Sequence, residues 1–121
     1  MNIRDWLYVR DHAEALWAVL TRGQNGQTYN IGGHNEWANV RIVELICDVI
    51  DKLAPQVGGN SRKLITFVKD RPGHDRRYAI DATKIQNELG WLPAHEFEQG
   101  ISEIIQWYLE NQEWVRAVQK L

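Results

Sequence analysis

Only three short runs in this chain read as β-strand, while four segments carry apolar residues at helical spacing. This imbalance limits the fold more than any other feature. The runs are Asp5-Trp6-Leu7-Tyr8-Val9, Thr28-Tyr29-Asn30-Ile31 and Leu64-Ile65-Thr66-Phe67-Val68, rich in aromatic and β-branched residues. The first predicted helix carries Ala13, Leu16, Trp17 and Leu20, with Asp11 placed to cap it. Asn39 precedes the strongest helix, where Val40, Val43, Ile46, Cys47, Ile50 and Leu53 recur at i+3 and i+4. Asp81 can cap a short helix through Leu89, closed by Gly90 with Pro93 beyond. A last helix starts near Glu96 with the stripe Phe97, Ile101, Ile104, Ile105, Tyr108 and Leu109, and Trp114 and Val115 continue its packing. Loops are expected at Gly23-Gln24-Asn25-Gly26, at Gly32-Gly33 and over residues 55–63. The expectation is a mixed α/β chain of three or four short strands, a thin sheet for so many apolar helix faces.

Composition narrows the function classes. The 121 residues carry 14 Lys and Arg against 16 Asp and Glu, a net charge of −2, which speaks against a dedicated nucleic-acid binder. One cysteine excludes an intrachain disulfide and a cysteine-based zinc site. No apolar run approaches the length of a membrane span, and Met1-Asn2-Ile3-Arg4-Asp5 has no signal-peptide core, so a cytoplasmic protein without a membrane partner is expected. Six Trp is a high count for this length.

The usual cofactor signatures are missing. Gly32-Gly33 lacks the third glycine of a dinucleotide turn, and there is no phosphate-binding P-loop. Four residues after Tyr8, Tyr29, Tyr78 and Tyr108 stand His12, Gly33, Ala82 and Gln112, so no tyrosine has a lysine at the spacing that would lower its pKa. The four His are too scattered for a local metal motif and read as surface or hydrogen-bonded residues. Cys47 reads as an inert core residue, and Glu44, Asp48 and Asp51 as a solvated helix face. Ser61 and Ser102 have no local catalytic motif.

One segment stands out. Lys69-Asp70-Arg71-Pro72-Gly73-His74-Asp75-Arg76-Arg77 packs Lys69, Arg71, Arg76 and Arg77 around a bend that Pro72 and Gly73 can hold. From that bend Arg71 and His74 can project toward phosphate oxygens. The competing reading is a solvated turn with Asp–Arg pairs. Arg4 can clamp an anion or lie on the surface. Asn39 can bind a ligand or simply cap its helix. Trp6 and Trp37 can stack on a base or sugar, or pack in a core.

Four runs occur in the order of a known family. They are Arg4-Asp5-Trp6-Leu7-Tyr8-Val9-Arg10-Asp11-His12, Thr28-Tyr29-Asn30-Ile31-Gly32-Gly33-His34-Asn35-Glu36, Asp70-Arg71-Pro72-Gly73-His74-Asp75-Arg76-Arg77-Tyr78-Ala79-Ile80-Asp81 and Leu89-Gly90-Trp91. Together they resemble the C-terminal part of the dTDP-glucose 4,6-dehydratases, which are extended short-chain dehydrogenases/reductases. The run from Asp70 is specific within nucleotide-sugar enzymes, whereas the first two are shared with related epimerases and decarboxylases.

The resemblance implies the following. Residues 1–33 would be a remnant of the Rossmann side, with one orphan edge strand and no complete Rossmann domain, and residues 34–121 the nucleotide-sugar substrate-binding domain. The family's glycine-rich NAD loop and catalytic residues have no counterpart here, so no catalytic residue and no cofactor are expected in this chain, and NAD only in the full-length family. The chain would then be a truncated piece, inactive alone, and cut across a domain boundary. Substrate contacts carry over to Arg4, Asn39, Asp70, Arg71, Pro72, Gly73 and His74, with Arg4 and Arg71 facing the diphosphate and Asn39 the nucleotide. The partner is a dTDP-sugar, held weakly if at all by half a site. Helix faces bearing Leu16, Trp17 and Leu20 would lack cover, so self-association through residues 5–31 is expected. The alternatives are a non-enzymatic nucleotide-sugar-binding or structural oligomeric remnant, and a piece of a related epimerase or decarboxylase.

Overall fold

A computed structural model describes residues 2–55 and 59–119. The order is β1 (Ile3–Asp5), α1 (Val9–Arg22), β2 (Glu36–Ala38), α2 (Asn39–Leu53), a 3-10 turn (Ser61–Leu64), β3 (Arg77–Tyr78), α3 (Thr83–Leu89), α4 (Phe97–Glu110) and α5 (Gln112–Val118). The expected loop over residues 55–63 falls in part on residues 56–58, outside the described ones.

The sheet order is β2-β1-β3. β1 runs antiparallel to β2, with Arg4 opposite Trp37 and Asp5 opposite Glu36, and parallel to β3, with Ile3 opposite Arg77 and Arg4 opposite Tyr78. The α/β class is as expected, but the strands are not the ones propensity selects. The first lies at 3–5 rather than 5–9, and Val9 already opens α1. Thr28–Ile31 joins no strand, and Tyr29 and Ile31 instead pack against the core. Leu64 ends the 3-10 turn, and residues 65–68 run outside any strand with Phe67 82% exposed. A strand exists through its pairing, and β-propensity only nominates candidates. Both edges of β1 are taken by the short segments Glu36–Ala38 and Arg77–Tyr78, leaving the longer apolar runs without a ladder.

The first helix also presents the opposite face from the one predicted. Its buried residues are Asp11, Ala15 and Ala18, whereas Leu16, Trp17 and Leu20 are more than half exposed. The alanines admit close approach of α3, and Ala15, Ala18, Ala82, Ile85, Leu89 and Trp91 form one cluster. Asp11 is therefore a buried helix-interior residue and not a cap, a position held by Tyr8. α2 begins at Asn39 itself, so Asn39 is its first residue and Ala38 its cap. Ile42 and Cys47 are its buried residues, and it packs on α4.

The short helix ends where expected, but its cap position is held by Ala82, and Asp81 acts from one residue upstream. Asp81 Oδ1 accepts from the Thr83 backbone N–H at 2.9 Å and from Thr83 Oγ1 at 2.6 Å. Gly90 closes α3 in the left-handed region at φ 65°. The final stripe breaks at Asn111, whose Nδ2 donates to the Trp107 carbonyl. α5 then turns back, and Trp114 meets Trp107 edge-on at 5.1 Å.

Candidate functional site

The central strand carries Arg4 between two aromatic neighbours, Trp37 on β2 and Tyr78 on β3. From there its guanidinium reaches the turn that precedes β3. Nη1 donates to the Ile3 carbonyl at 2.7 Å, and Nη2 lies 2.7 Å from His74 Nε2 and 2.9 Å from the Asp75 carbonyl. His74 Nδ1 lies 2.6 Å from Asp70 Oδ1. Asn2 Nδ2 donates to Asp70 Oδ2 at 3.0 Å. The Arg71 backbone N–H donates to Asp70 Oδ1 at 2.9 Å, and Gly73 turns the chain at φ 72°. Pro72 occupies the same exposed turn.

Asp70 is thus the hub of the turn. Donation from Asn2, then from His74 and the Arg71 N–H, holds its carboxyl down at about 2. A depressed carboxyl favours the folded turn above the ordinary carboxylate range, and that contribution is lost as pH falls through about 2. Carbon-13 NMR titration of the Asp70 carboxyl is expected to place its midpoint near that pH. Asn2→Ala is expected to raise it, because the first of the three donors is gone.

Among the sequence candidates, the structure joins Arg4, Asp70 and His74 directly. Asn39 stands beside them, its backbone N–H donating to the Asn2 carbonyl at 2.9 Å. Its side-chain Oδ1 is buried without a partner. A buried carbonyl oxygen without a donor is costly. Arg71 is exposed, and its guanidinium has no hydrogen bond or ion pair among the described residues. The Asp–Arg pairing that would have made the turn merely a solvated one is not what forms. Asp70 pairs with His74, and Arg77 crosses to Glu36 on β2 through contacts of 2.6 and 2.7 Å.

None of these seven candidates lines the apolar cleft beside α4. That cleft, about 720 Å³, runs between the β1–α1 connection and α4, with Trp6, Tyr8, Trp37, His95, Phe97 and Ile101 among its walls. Trp37 stacks on Phe97 at 5.0 Å, and Trp6 meets Phe97 edge-on at 6.5 Å. At its margin, Asp11 accepts from His95 Nδ1 at 2.7 Å and from the His95 backbone N–H at 3.1 Å. Burial pushes the Asp11 carboxyl up, but the His95 and Ala94 hydrogen bonds outweigh it and leave the acid below its usual range. Local sequence patterns missed this pair and the part played by Asn2, since both contacts join residues distant in the chain. The Asp70–His74 spacing of four was the one local signal.

The glycines nearest to a dinucleotide turn do not fit a pyrophosphate. A Cβ at Gly33 would stand 2.3 Å from the Trp6 carbonyl oxygen, and one at Gly32 would stand 2.8 Å from Asp5 Oδ2. Asp5 accepts from the Gly33 and Asn35 backbone N–H groups, both at 2.8 Å. The N–H of Gly33 that could meet a phosphate is therefore already donated to the chain's own carboxylate.

A central strand whose arginine is tied to an Asp-Arg-Pro-Gly-His turn, in a three-stranded α/β layer, places the chain in the class of the nucleotide-sugar dehydratases. The chain belongs to the GDP-mannose 4,6-dehydratase family, which it matches over residues 1–104. It is homologous to the C-terminal part of dTDP-glucose 4,6-dehydratases. It is 56% identical to that of Neisseria meningitidis serogroup B over 98% of this chain and 34% of the relative, and 56% identical to dTDP-glucose 4,6-dehydratase 1 of Escherichia coli K12 over 97% and 32%. Among solved structures, the dTDP-glucose 4,6-dehydratase of Bacillus anthracis in complex with NAD superposes with a TM-score of 0.80 at 48% identity, covering 94% of this chain and 33% of that one. The chain thus spans about a third of the length of the curated relatives it matches. A UDP-glucose 4-epimerase from Thermotoga maritima, at 22% identity and TM-score 0.74, shares the fold.

Proposed function

We propose that this chain supplies the diphosphate-facing wall of a nucleotide-sugar dehydratase acting on dTDP-glucose. The observation that carries the reading is the tie between Arg4 and the Asp70–His74 turn, which brings the turn that bears the exposed Arg71 onto the central strand. Guanidinium groups suit diphosphate oxygens, and Asn39, at the start of α2 beside β1, would face the nucleotide. Pro72 and Gly73 hold the bend that presents Arg71. Relatives from Streptomyces venezuelae, 34% identical, are solved with NAD and dTDP-type ligands bound, which supports this ligand class. NAD binding and the acid–base steps are assigned to no residue here, so the chain alone is expected to leave dTDP-glucose unconverted.

Titration of the chain with dTDP-glucose, followed by Trp fluorescence, tests the reading. Saturable binding is expected, weak because one wall of a cleft cannot enclose the ligand. Arg71→Ala is expected to weaken it at least about tenfold, the loss of one charge-assisted contact. Binding unchanged by Arg71→Ala overturns the assignment, and no binding favours a structural remnant.

The partly uncovered α1 supports a second copy of this chain as a further partner through residues 5–31, because Leu16, Trp17 and Leu20 share a stripe with the exposed Val9. Sedimentation velocity across concentrations is expected to show a dimer or larger species that Trp17→Glu reduces. A monomer at all concentrations overturns it.

A further inference from the structure

The hydrogen bonds around His74 fix where its proton sits. Arg4 Nη2 can only donate, so His74 Nε2, 2.7 Å away, carries a lone pair. The ionised Asp70 carboxylate can only accept, so Nδ1, 2.6 Å from it, carries the hydrogen. The partners thus match a donor at Nδ1 and an acceptor at Nε2, with a cation facing the acceptor. Arg4 from β1 and Asp70 from the turn are the charged groups touching the ring. Asn2 Nδ2 stands 3.2 Å from Nδ1, and Arg71, Asp75 and Arg76 are exposed neighbours along the turn.

The N–H groups of Arg4 directed into the turn are already engaged, on Ile3, His74 and Asp75. A diphosphate ester seated against Arg4 and Arg71 competes with Nε2 for those N–H groups. It also places about two negative charges where the ring now faces a guanidinium, which favours the protonated ring. Asp70 is in position to hold the resulting imidazolium at Nδ1.

We propose that a nucleotide diphosphate ester binds this site with uptake of one proton at His74 Nε2, which changes from an acceptor for Arg4 into a donor to a phosphate oxygen. The proton comes from solvent, and no covalent bond changes. The inference rests on the dTDP-sugar reading given above and adds a pH dependence to it.

The test is calorimetric titration of the chain with dTDP-glucose in buffers of different ionisation enthalpy, between about pH 6 and 8 where an imidazole changes charge. The sugar ester is chosen because its diphosphate, substituted at both ends, does not itself titrate there. Uptake approaching one proton is expected, with Kd rising toward tenfold per pH unit at the upper end of the range. His74→Gln is expected to bind without uptake and with a flat pH profile. Nitrogen-15 spectra of the unaltered chain provide a second readout that needs no variant, with Nε2 moving to its protonated position on saturation. Binding without uptake, or uptake that survives in His74→Gln, overturns the proton linkage and leaves the binding assignment standing. No binding at any pH overturns the binding assignment and the linkage with it.

Discussion

Asp11→Ala is expected to cost the fold about 3 kcal/mol, the loss typical of removing one member of a buried pair. Asp11 is only 1% exposed and lies on the inner face of α1, among residues that otherwise seat alanines. Its two oxygens accept from the His95 ring and backbone, so it ties α1 to the segment that enters α4. Alanine leaves the backbone N–H of His95 without its acceptor and opens a void beside Ala15. Asp11→Asn, which keeps the volume but surrenders the charge, is expected to fall between the two. The pH dependence follows from the lowered acid. Asp11 favours the folded state above the ordinary carboxylate range, and that contribution is lost as pH falls through its lower folded value. Urea denaturation at neutral pH and in acid measures both effects. Equal midpoints for the native chain and Asp11→Ala at neutral pH refute the account.

The second large effect is expected at Gly33. A Cβ there stands 2.3 Å from the Trp6 carbonyl oxygen, a backbone atom that no side-chain rotation can move. Trp6 is itself fixed, since its N–H donates to the Asn35 carbonyl at 3.1 Å, while Asp5 grips the N–H groups of Gly33 and Asn35. Relief therefore requires the whole connection after β1 to shift. Gly33→Ala is expected to cost about 3 kcal/mol, at the upper end for an overpacked site. It should also weaken dTDP-glucose binding, because β1 carries Arg4. Gly26→Ala is the control. A Cβ at Gly26 meets nothing within 4 Å, and only its φ of +79° opposes the change. A cost near 1 kcal/mol is expected there. Thermal unfolding of both variants separates close packing from backbone conformation. A Gly33→Ala chain as stable as Gly26→Ala would contradict it.

Periodicity located the helices well and their faces less well. The spacing of Leu16, Trp17 and Leu20 is helical, and a helix is there. The buried side is set instead by Ala15 and Ala18, which let α3 come near and which no hydrophobicity ranking would prefer over leucine and tryptophan. Gly90 was legible because a cap acts through neighbours in the chain, and Asp81 reaches Thr83 for the same reason from one residue before the cap Ala82. The strands were not legible, because Glu36–Ala38 and Arg77–Tyr78 gain their structure only by pairing with residues 3–5. In the candidate site, Arg71 and His74 stood out from the Pro72-Gly73 bend and Arg4 as a lone cation, while Asp70 entered only through the family resemblance. The contacts that make them a network, from Asn2 and from Arg4 to His74, cross most of the chain and leave no local trace. Asn39 illustrates the same limit. Its position before a helical stripe suggested a cap, but the helix starts on it and its side-chain oxygen is left over.

The sheet order has a kinetic consequence. β1 lies at the start of the chain, yet its two partners come from the first third and from well beyond the middle, so Ile3 must find both Ala38 and Arg77. Loop closure over such spans is entropically slow, whereas helices such as α2 and α4 form from near neighbours. Helical signal in refolding should therefore precede the closing of the Arg4–His74 cluster. The Arg4–His74 contact would then be among the last the chain makes, with Arg4 and the turn held apart until the strands meet.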